Sequence, residues 1–327
     1  MSDTQIPEGA IRCLDKGFLR LVDKMGGDDA IVQAARVSYG KGTRKVSQDR
    51  GLIRYLMRHR HSTPFEMVEL KFHAKMPIFV ARQWVRHRTA NINEYSLRYS
   101  EARDEFYIPD EKIIQFQSKL SKQGRELSLV PRELKNKVIS YFKEISERSF
   151  AIYSELNEAG IARELARGIL PVNIYTEWYW KNDLHNIFHF LHLRTDDSAQ
   201  YEIRVYAKAM ESIVKEIAPL AYEAFMDYAV RGMQLSSPEQ ISLTKNLPPS
   251  VVEDTVEDVN YRIVATLQNS KPRPEDELYI VYQKQGGRDA REDFELKWAS
   301  GEIETGNIRE LREFKAKLVA LEKNDPA

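Results

Sequence analysis

Val68-Glu69-Leu70-Lys71-Phe72-His73-Ala74-Lys75-Met76-Pro77 alternates apolar Val68, Leu70, Phe72 and Ala74 with polar Glu69, Lys71, His73 and Lys75. A period of two sends one set to each face of a strand, so this run is a strand with one face on a core. Pro77 fixes φ and lacks an N–H, which suits the first turn of a short helix through Ile78, Ala81, Trp84 and Val85. On the other side, Leu52, Ile53, Leu56 and Met57 recur at helical spacing within Lys45 to Arg60, and the polar run from His59 to Pro64 ends that helix.

Farther out, helices and strands interleave. Arg132 to Asn157 carries apolar residues at a helical period and stops near Gly160, a natural C-cap. Pro171 to Trp180 reads as a second strand, with Val172, Ile174, Thr176, Trp178 and Trp180 on one face. Asp183 to Leu193 and Ala199 to Ile217 read as helices, with Asp196, Asp197 and Ser198 as capping candidates between them. The expected class is α+β, with mixed helices around an interrupted sheet of antiparallel type. Near residue 236 the texture changes to Ser236-Ser237-Pro238 and Pro248-Pro249-Ser250, which places a boundary between residues 1–235 and a C-terminal extension, 236–327. In that extension a hairpin over residues 278–298 and a last helix on the stripe Ile308, Leu311, Phe314, Leu318 and Leu321 are expected, with no evident chemistry.

Across 327 residues, Lys+Arg and Asp+Glu both number 49, so no global basic field exists to hold a nucleic acid backbone or an anionic membrane. Any anion site must be local. The start of the chain has no secretory apolar run, and no stretch approaches the roughly 18 apolar residues of a membrane span, so a cytoplasmic location is expected. The single cysteine, Cys13, makes no internal disulfide and reads as a buried core thiol rather than a nucleophile.

The densest chemical feature runs from Arg82 to Ser100. Arg82, Arg86, Arg88, Arg98 and Arg103 occur with no lysine, opposed only by Glu94 and Glu101. Guanidinium forks grip phosphate or an imide-like edge bidentately, so an arginine-only cluster in a neutral chain points to a bound phosphate; a solvated helix face with salt bridges is the plainer alternative. The polar segment after the helix, with Asn91, Asn93, Glu94, Ser96 and Tyr99, adds amide, carboxylate and hydroxyl groups that orient a base or a sugar.

Arg86-His87-Arg88 followed after seven residues by Ser96, and continuing through Arg98, Tyr99 and Ser100, resembles the signature of the flavin-dependent thymidylate synthase family. His61-Ser62-Thr63-Pro64-Phe65-Glu66 resembles the family's upstream flavin segment, with Met67 where many members have histidine. Ala166-Arg167, Leu170 to Thr176, and Phe190 to Asp196 with Ala199-Gln200 resemble its downstream segments, so the likeness covers roughly residues 10 to 235.

The resemblance implies an α+β FAD enzyme that methylates dUMP to dTMP, with methylenetetrahydrofolate as carbon donor and NADPH as reductant, in a homotetramer whose sites are shared between subunits. By motif position, Thr63, Arg86, His87, Arg88 and Glu94 fall on FAD, and Asp183, His185 and His189 join them along the flavin. Gln83, Arg86, Glu94, Tyr95, Ser96, Leu97, Arg98, Arg167 and Arg194 fall on dUMP. Arg194 beside the uracil N3 and carbonyl edge would favour an enolate-like pyrimidine and raise electron density at C5. Ser96 is the nucleophile candidate by residue type, but no general base is paired with it in sequence, so it is read as a substrate contact.

Two other readings stand beside this one. His185, His189 and His192 lie at i, i+4 and i+7, one imidazole face that Asp183 or Asp196 would complete as a metal site of a hydrolase. The arginine cluster with Tyr95 and Tyr99 would serve a non-catalytic nucleotide- or RNA-binding module, against which the zero net charge argues.

Overall fold

A computed structural model of the chain describes residues 6–37, 46–119, 124–126, 129–236 and, beyond these, 238, 239, 242, 251, 253–260, 314, 315 and 317. The chain divides into two units, Met1–Gly232 and Met233–Ala327.

Among its described residues the first unit is built on five strands, β1 (Ile11–Cys13), β2 (Gly17–Met25), β3 (Glu69–Pro77), β4 (Asn91–Glu94) and β5 (Tyr175–Asp183). Its helices are α1 (Asp28–Val37), α2 (Val46–Arg58), α3 (Thr63–Glu66), α4 (Ile78–Trp84), α5 (Arg132–Glu158), α6 (Arg163–Ala166), α7 (Leu184–Arg194), α8 (Tyr201–Ile217) and α9 (Pro219–Phe225). The sheet has the order β1-β2-β3-β5-β4, and every pairing is antiparallel. The α+β class expected from the alternating runs is the class observed.

The strand read first in the sequence lies at the centre of the sheet. Leu70, Phe72, Ala74 and Met76 are fully buried, with Phe72 opposite Trp180 and Ala74 opposite Trp178 on β5. Trp84 from α4 packs edge-on against both tryptophans, at 5.5 and 5.6 Å between ring centroids, and Phe190 and Tyr206 complete the cluster. Full burial of each such ring contributes roughly 2–3 kcal/mol, so this aromatic knot anchors the helices on one face. On the opposite face Lys75 is buried as well, because Glu105 neutralises it at 2.7 Å.

A neighbouring contact explains Gly17. Tyr206 donates its hydroxyl to the Lys75 carbonyl at 2.7 Å, directly over β2, and a Cβ on Gly17 would lie 2.0 Å from that hydroxyl and 2.6 Å from the Lys75 oxygen. Cys13 is a buried free thiol, pushed up to about 12 by burial, in keeping with the core reading.

Helix α5 ends at Glu158 with Ala159 as its C-cap, followed by Gly160 at φ +78°, the left-handed conformation expected of that glycine. Two expectations are corrected. The second strand begins at Tyr175, not at Pro171, because the carbonyls of Val172 and Ile174 accept the first N–H groups of α4, from Phe79 and Ile78, at 3.0 and 2.9 Å. Asp196 does not cap α8: its carboxylate holds Ser198, and the N-cap is Gln200, without a side-chain cap bond. The polar segment after α4 is partly strand, since Asn91–Glu94 pairs with β5 as an exposed edge.

In the second unit, Ser236 donates its N–H and hydroxyl to Glu239, and residues 253–260 are helical. The expected hairpin and nearly all of the expected last helix lie outside the described residues. Among the described residues no helix is long and apolar enough to cross a membrane.

Candidate functional site

The candidate residues collect in two places. The first is a cleft of about 550 Å³ lined by Ile78 and Arg82 of α4, Glu94 at the end of β4, Tyr95 to Arg98 after it, Arg167, Gly168 and Leu170 beyond α6, and Tyr175 and Thr176 at the start of β5. Of the positions matched to substrate, Glu94, Tyr95, Ser96, Leu97, Arg98 and Arg167 all line this one cleft.

Local structure explains how. Once β4 has paired with β5, the Tyr95 N–H donates to the Glu177 carbonyl at 2.8 Å and its hydroxyl to the Glu101 carbonyl at 2.9 Å, which holds the turn down at both ends. Leu97 packs on a small satellite core of Ala102, Phe106, Tyr153, Ala166 and Ile174, joined by Ile78 and Leu170. This apolar anchor leaves its polar neighbours outward. Ser96 Oγ accepts from the Arg98 N–H and Nε–H at 3.4 and 3.3 Å, and no general base touches it among the described residues. Its hydroxyl proton remains available to a ligand.

The charge balance of the cleft is one-sided. Arg82, Arg98 and Arg167 face a single carboxylate, Glu94, whose Oε1 accepts the Thr176 hydroxyl at 2.7 Å. Arg82 and Arg167 make no ion pair among the described residues. Three guanidinium forks without matching acids form a receptor for an anion such as a phosphate monoester.

The second collection lies where the C-terminal end of α4 meets α7. Arg194 donates Nε–H to His87 Nε2 at 3.1 Å and Nη2–H to the Gln83 carbonyl at 3.4 Å. His87 is 7% exposed, and His189 and Phe190 lie against its ring at 5.6 and 4.9 Å. Burial, then the Arg194 and His189 charges, lower its pKa to about 4, so the ring is neutral. Burial also lowers the half-buried Arg194, which has no carboxylate within ion-pair distance among the described residues. Arg86 and Arg88, exposed beside this pair, are likewise free of ion pairs among the described residues.

The other sequence candidates take quieter positions. Thr63 is exposed in the first turn of α3. Asp183 is the N-cap of α7, with one carboxylate oxygen on the Asn186 N–H at 2.9 Å and the other on Asn186 Nδ2 at 2.7 Å. His185, His189 and His192 are all exposed, but His185 and His192 are separated by roughly 10 Å of helix rise. No group of three or more His, Cys, Asp or Glu with metal-site geometry occurs among the described residues, so the imidazole metal site lacks its ligand set.

Sequence reading omitted three participants. Arg82 was visible in the arginine run, but only the fold turns it into the cleft. Thr176 orients Glu94. Gln200 takes a hydrogen bond from the Gln83 amide, across the contact between α4 and α8. Neither Thr176 nor Gln200 carries a local signal, since each acts on a residue about 80 or more positions away.

The donor set suits a flavin dinucleotide as well as a nucleotide monophosphate: Arg86 and Arg88 have no ion-pair partner among the described residues and are cations for a pyrophosphate, and a neutral imidazole lies beside them for a ring.

Comparison with known proteins identifies the family. Residues 20–220 match the family described as thymidylate synthase complementing protein, a span that includes every candidate from Thr63 to Gln200. The flavin-dependent thymidylate synthase of Rickettsia conorii is 54% identical over 238 residues, covering 69% of this chain and 81% of the relative. That of Thermus thermophilus is 54% identical over 243 residues, covering 74% and 88%. A crystal structure of the UMP/dUMP methylase PolB from Streptomyces cacaoi bound with 5-Br dUMP superposes with a TM-score of 0.61 at 35% identity, covering 67% of this chain and 98% of that one. With more than half its length inside one family model and with relatives 54% identical over most of their length, the chain belongs to the flavin-dependent thymidylate synthase family.

Proposed function

We propose that the protein reductively methylates dUMP to dTMP, with FAD as cofactor, methylenetetrahydrofolate as carbon donor and NADPH as reductant, in a cytoplasmic homotetramer. The observation that carries the reading is Arg194, a half-buried guanidinium whose described partners are a neutral imidazole and a backbone carbonyl. A cation held without an acid is poised for an electron-rich ligand edge, and the relatives' substrate has one in the uracil imide.

Each residue then has a task. Arg82, Arg98 and Arg167 hold the phosphate in the cleft, with the Ser96 hydroxyl as a further donor. Glu94, fixed by Thr176, accepts from the sugar or from the flavin. Tyr95 and Leu97 keep this turn in shape. Gln83, Arg86 and Arg194 contact the pyrimidine side, and Arg194 stabilises negative charge on the N3 and carbonyl edge, which increases electron density at C5. Thr63, Arg86, His87, Arg88, Asp183, His185 and His189 hold FAD, with Asp183 doing so chiefly by setting the start of α7. The bound flavin supplies hydride transfer, for which no side chain is equipped. Cys13, buried and protonated, is not an attacking thiolate.

On this reading the active site is completed by a neighbouring copy. Residues 1–235 are proposed as the catalytic domain and 236–327 as an appended extension. The test is an absorption spectrum of the purified protein after addition of FAD and removal of the excess, followed by anaerobic NADPH and then dUMP. A retained flavin band that bleaches with NADPH and shifts with dUMP, followed by dTMP formation, is the expected result. Folded protein that keeps no flavin and ignores dUMP would overturn the reading.

A further inference from the structure

The Gln83 side-chain amide ends a chain of hydrogen bonds that begins in the interior of the fold. Its Nε2 donates to Gln200 Oε1; Gln200 Nε2 donates to Glu202 Oε2 at 2.8 Å; and Glu202 Oε1 accepts from Arg125 Nη2 at 2.6 Å and from the Tyr107 hydroxyl at 3.1 Å. Glu202 is 3% exposed and sits on the first turn of α8, whereas Gln83 lies on α4 beside Arg194.

A primary amide has one accepting end and one donating end, and either can face a neighbouring amide, so two glutamines in contact leave their common direction open. A carboxylate removes that freedom, because it only accepts. Four donor–acceptor positions in this chain thus depend on one residue. Burial and the adjacent carboxylate push the Tyr107 hydroxyl well above its usual range, so that hydroxyl stays a donor, and the Arg125 guanidinium is a donor in any case.

We infer that Glu202 is a positioning residue which, through Gln200, fixes the Gln83 amide with its NH2 inward and its carbonyl oxygen toward the ligand. Facing Glu202, Gln200 must offer its NH2, which leaves its carbonyl to Gln83. Gln83 must then turn its own NH2 to Gln200. Its Oε1 accepts from no described residue and is left for a ligand N–H or O–H. On the proposed reading that donor is a sugar hydroxyl of dUMP, and the inference rests on Gln83 contacting that nucleotide.

The test compares dUMP affinity, read from the perturbation of the flavin spectrum in the FAD-loaded protein, across a set of variants. Glu202→Gln lets Gln200 turn over and should weaken dUMP about tenfold, the loss of one oriented hydrogen bond, with flavin retention unchanged. The double variant Gln200→Glu with Glu202→Gln again gives Gln83 an acceptor-only partner, and should restore affinity to within about twofold of the parent. Both carry the altered Arg125 contact, so their difference reports the amide direction. A purely structural role for Glu202 predicts equal damage in both, and that result overturns the inference. If Glu202→Gln does not fold, Gln200→Met carries the test with the Glu202–Arg125 pair intact: a similar loss is expected, and unchanged affinity overturns the proposal. Gln83→Ala separates the two layers. Weakened dUMP there, with no effect of Glu202→Gln, removes the relay alone; no effect of Gln83→Ala removes Gln83 from the substrate site and the relay with it.

Discussion

His87 Nε2 accepts the Arg194 Nε–H at 3.1 Å, so the imidazole that orients this guanidinium carries its own proton on Nδ1. A protonated ring would have no lone pair to offer and would repel the cation. The pair works only with His87 neutral, and its low pKa is the electrostatic expression of that requirement.

Arg194→Ala should lower kcat/KM for dUMP by roughly 100-fold, since charge-assisted contacts to the pyrimidine are lost while little core volume is removed. Arg194→Lys should recover only part of it, because a point charge replaces a fork. Steady-state kinetics with circular dichroism as a folding control checks this; unchanged turnover in the alanine variant takes Arg194 out of the mechanism.

The His87 shift has a sign that can be followed in stability. The unfolded chain takes up this proton near pH 6.5 and the folded chain near 4, so between those values the folded state binds fewer protons. The contribution is complete above about pH 6.5 and is lost as pH falls toward 4. His87→Asn should flatten that segment of the Tm-against-pH curve. An imidazole NMR titration with its midpoint near 6.5 would falsify the assignment.

Arg88→Ala should weaken FAD retention after gel filtration while leaving Tm of the apoprotein within about 2 °C, as expected for an exposed side chain with no partner among the described residues. Full flavin content would contradict its placement.

Thr176→Val keeps the buried volume but removes the hydroxyl that Glu94 accepts at 2.7 Å. One freed carboxylate should raise the KM for dUMP about 5- to 10-fold with kcat little changed. A kcat effect without a KM effect would instead assign Glu94 to the flavin alone.

Gly17→Ala should destabilise the fold by about 3 kcal/mol, lowering Tm by roughly 6–12 °C, because the added methyl meets both the Tyr206 hydroxyl and backbone. Calorimetry showing no change would mean that Tyr206 can leave its bond to Lys75.

How much of this was legible in the sequence depends on the range of the interaction. β3, α4 and α5 follow from periodicity, because Leu70, Phe72 and Ala74 declare a buried face by themselves and Pro77 and Gly160 mark boundaries. The start of β5 was misjudged because Val172 and Ile174 fit the alternation but spend their carbonyls on α4. β4 has a polar sequence and a fully exposed burial pattern, so only its partner strand makes it a strand. The motif residues of the site were found through resemblance, and the cleft gathers those from Glu94 to Arg98 with Arg167. Gln200 and Thr176 were missed as functional because their partners are remote in sequence.

The use of the Val172 and Ile174 carbonyls by the first N–H groups of α4 has a mechanical consequence. A helix as short as Ile78–Trp84 extends only about 10 Å. Clamped at one end to the segment that leads into β5 and wedged by Trp84 between tryptophans at the other, it behaves as a stiff bracket rather than a lever. Ile78 and Phe79 should therefore exchange their amide hydrogens as slowly as the central strands do, and the arginines and histidine that follow the bracket start from a fixed origin. What flexibility ligand binding needs has to come from side chains and from the turn beyond β4.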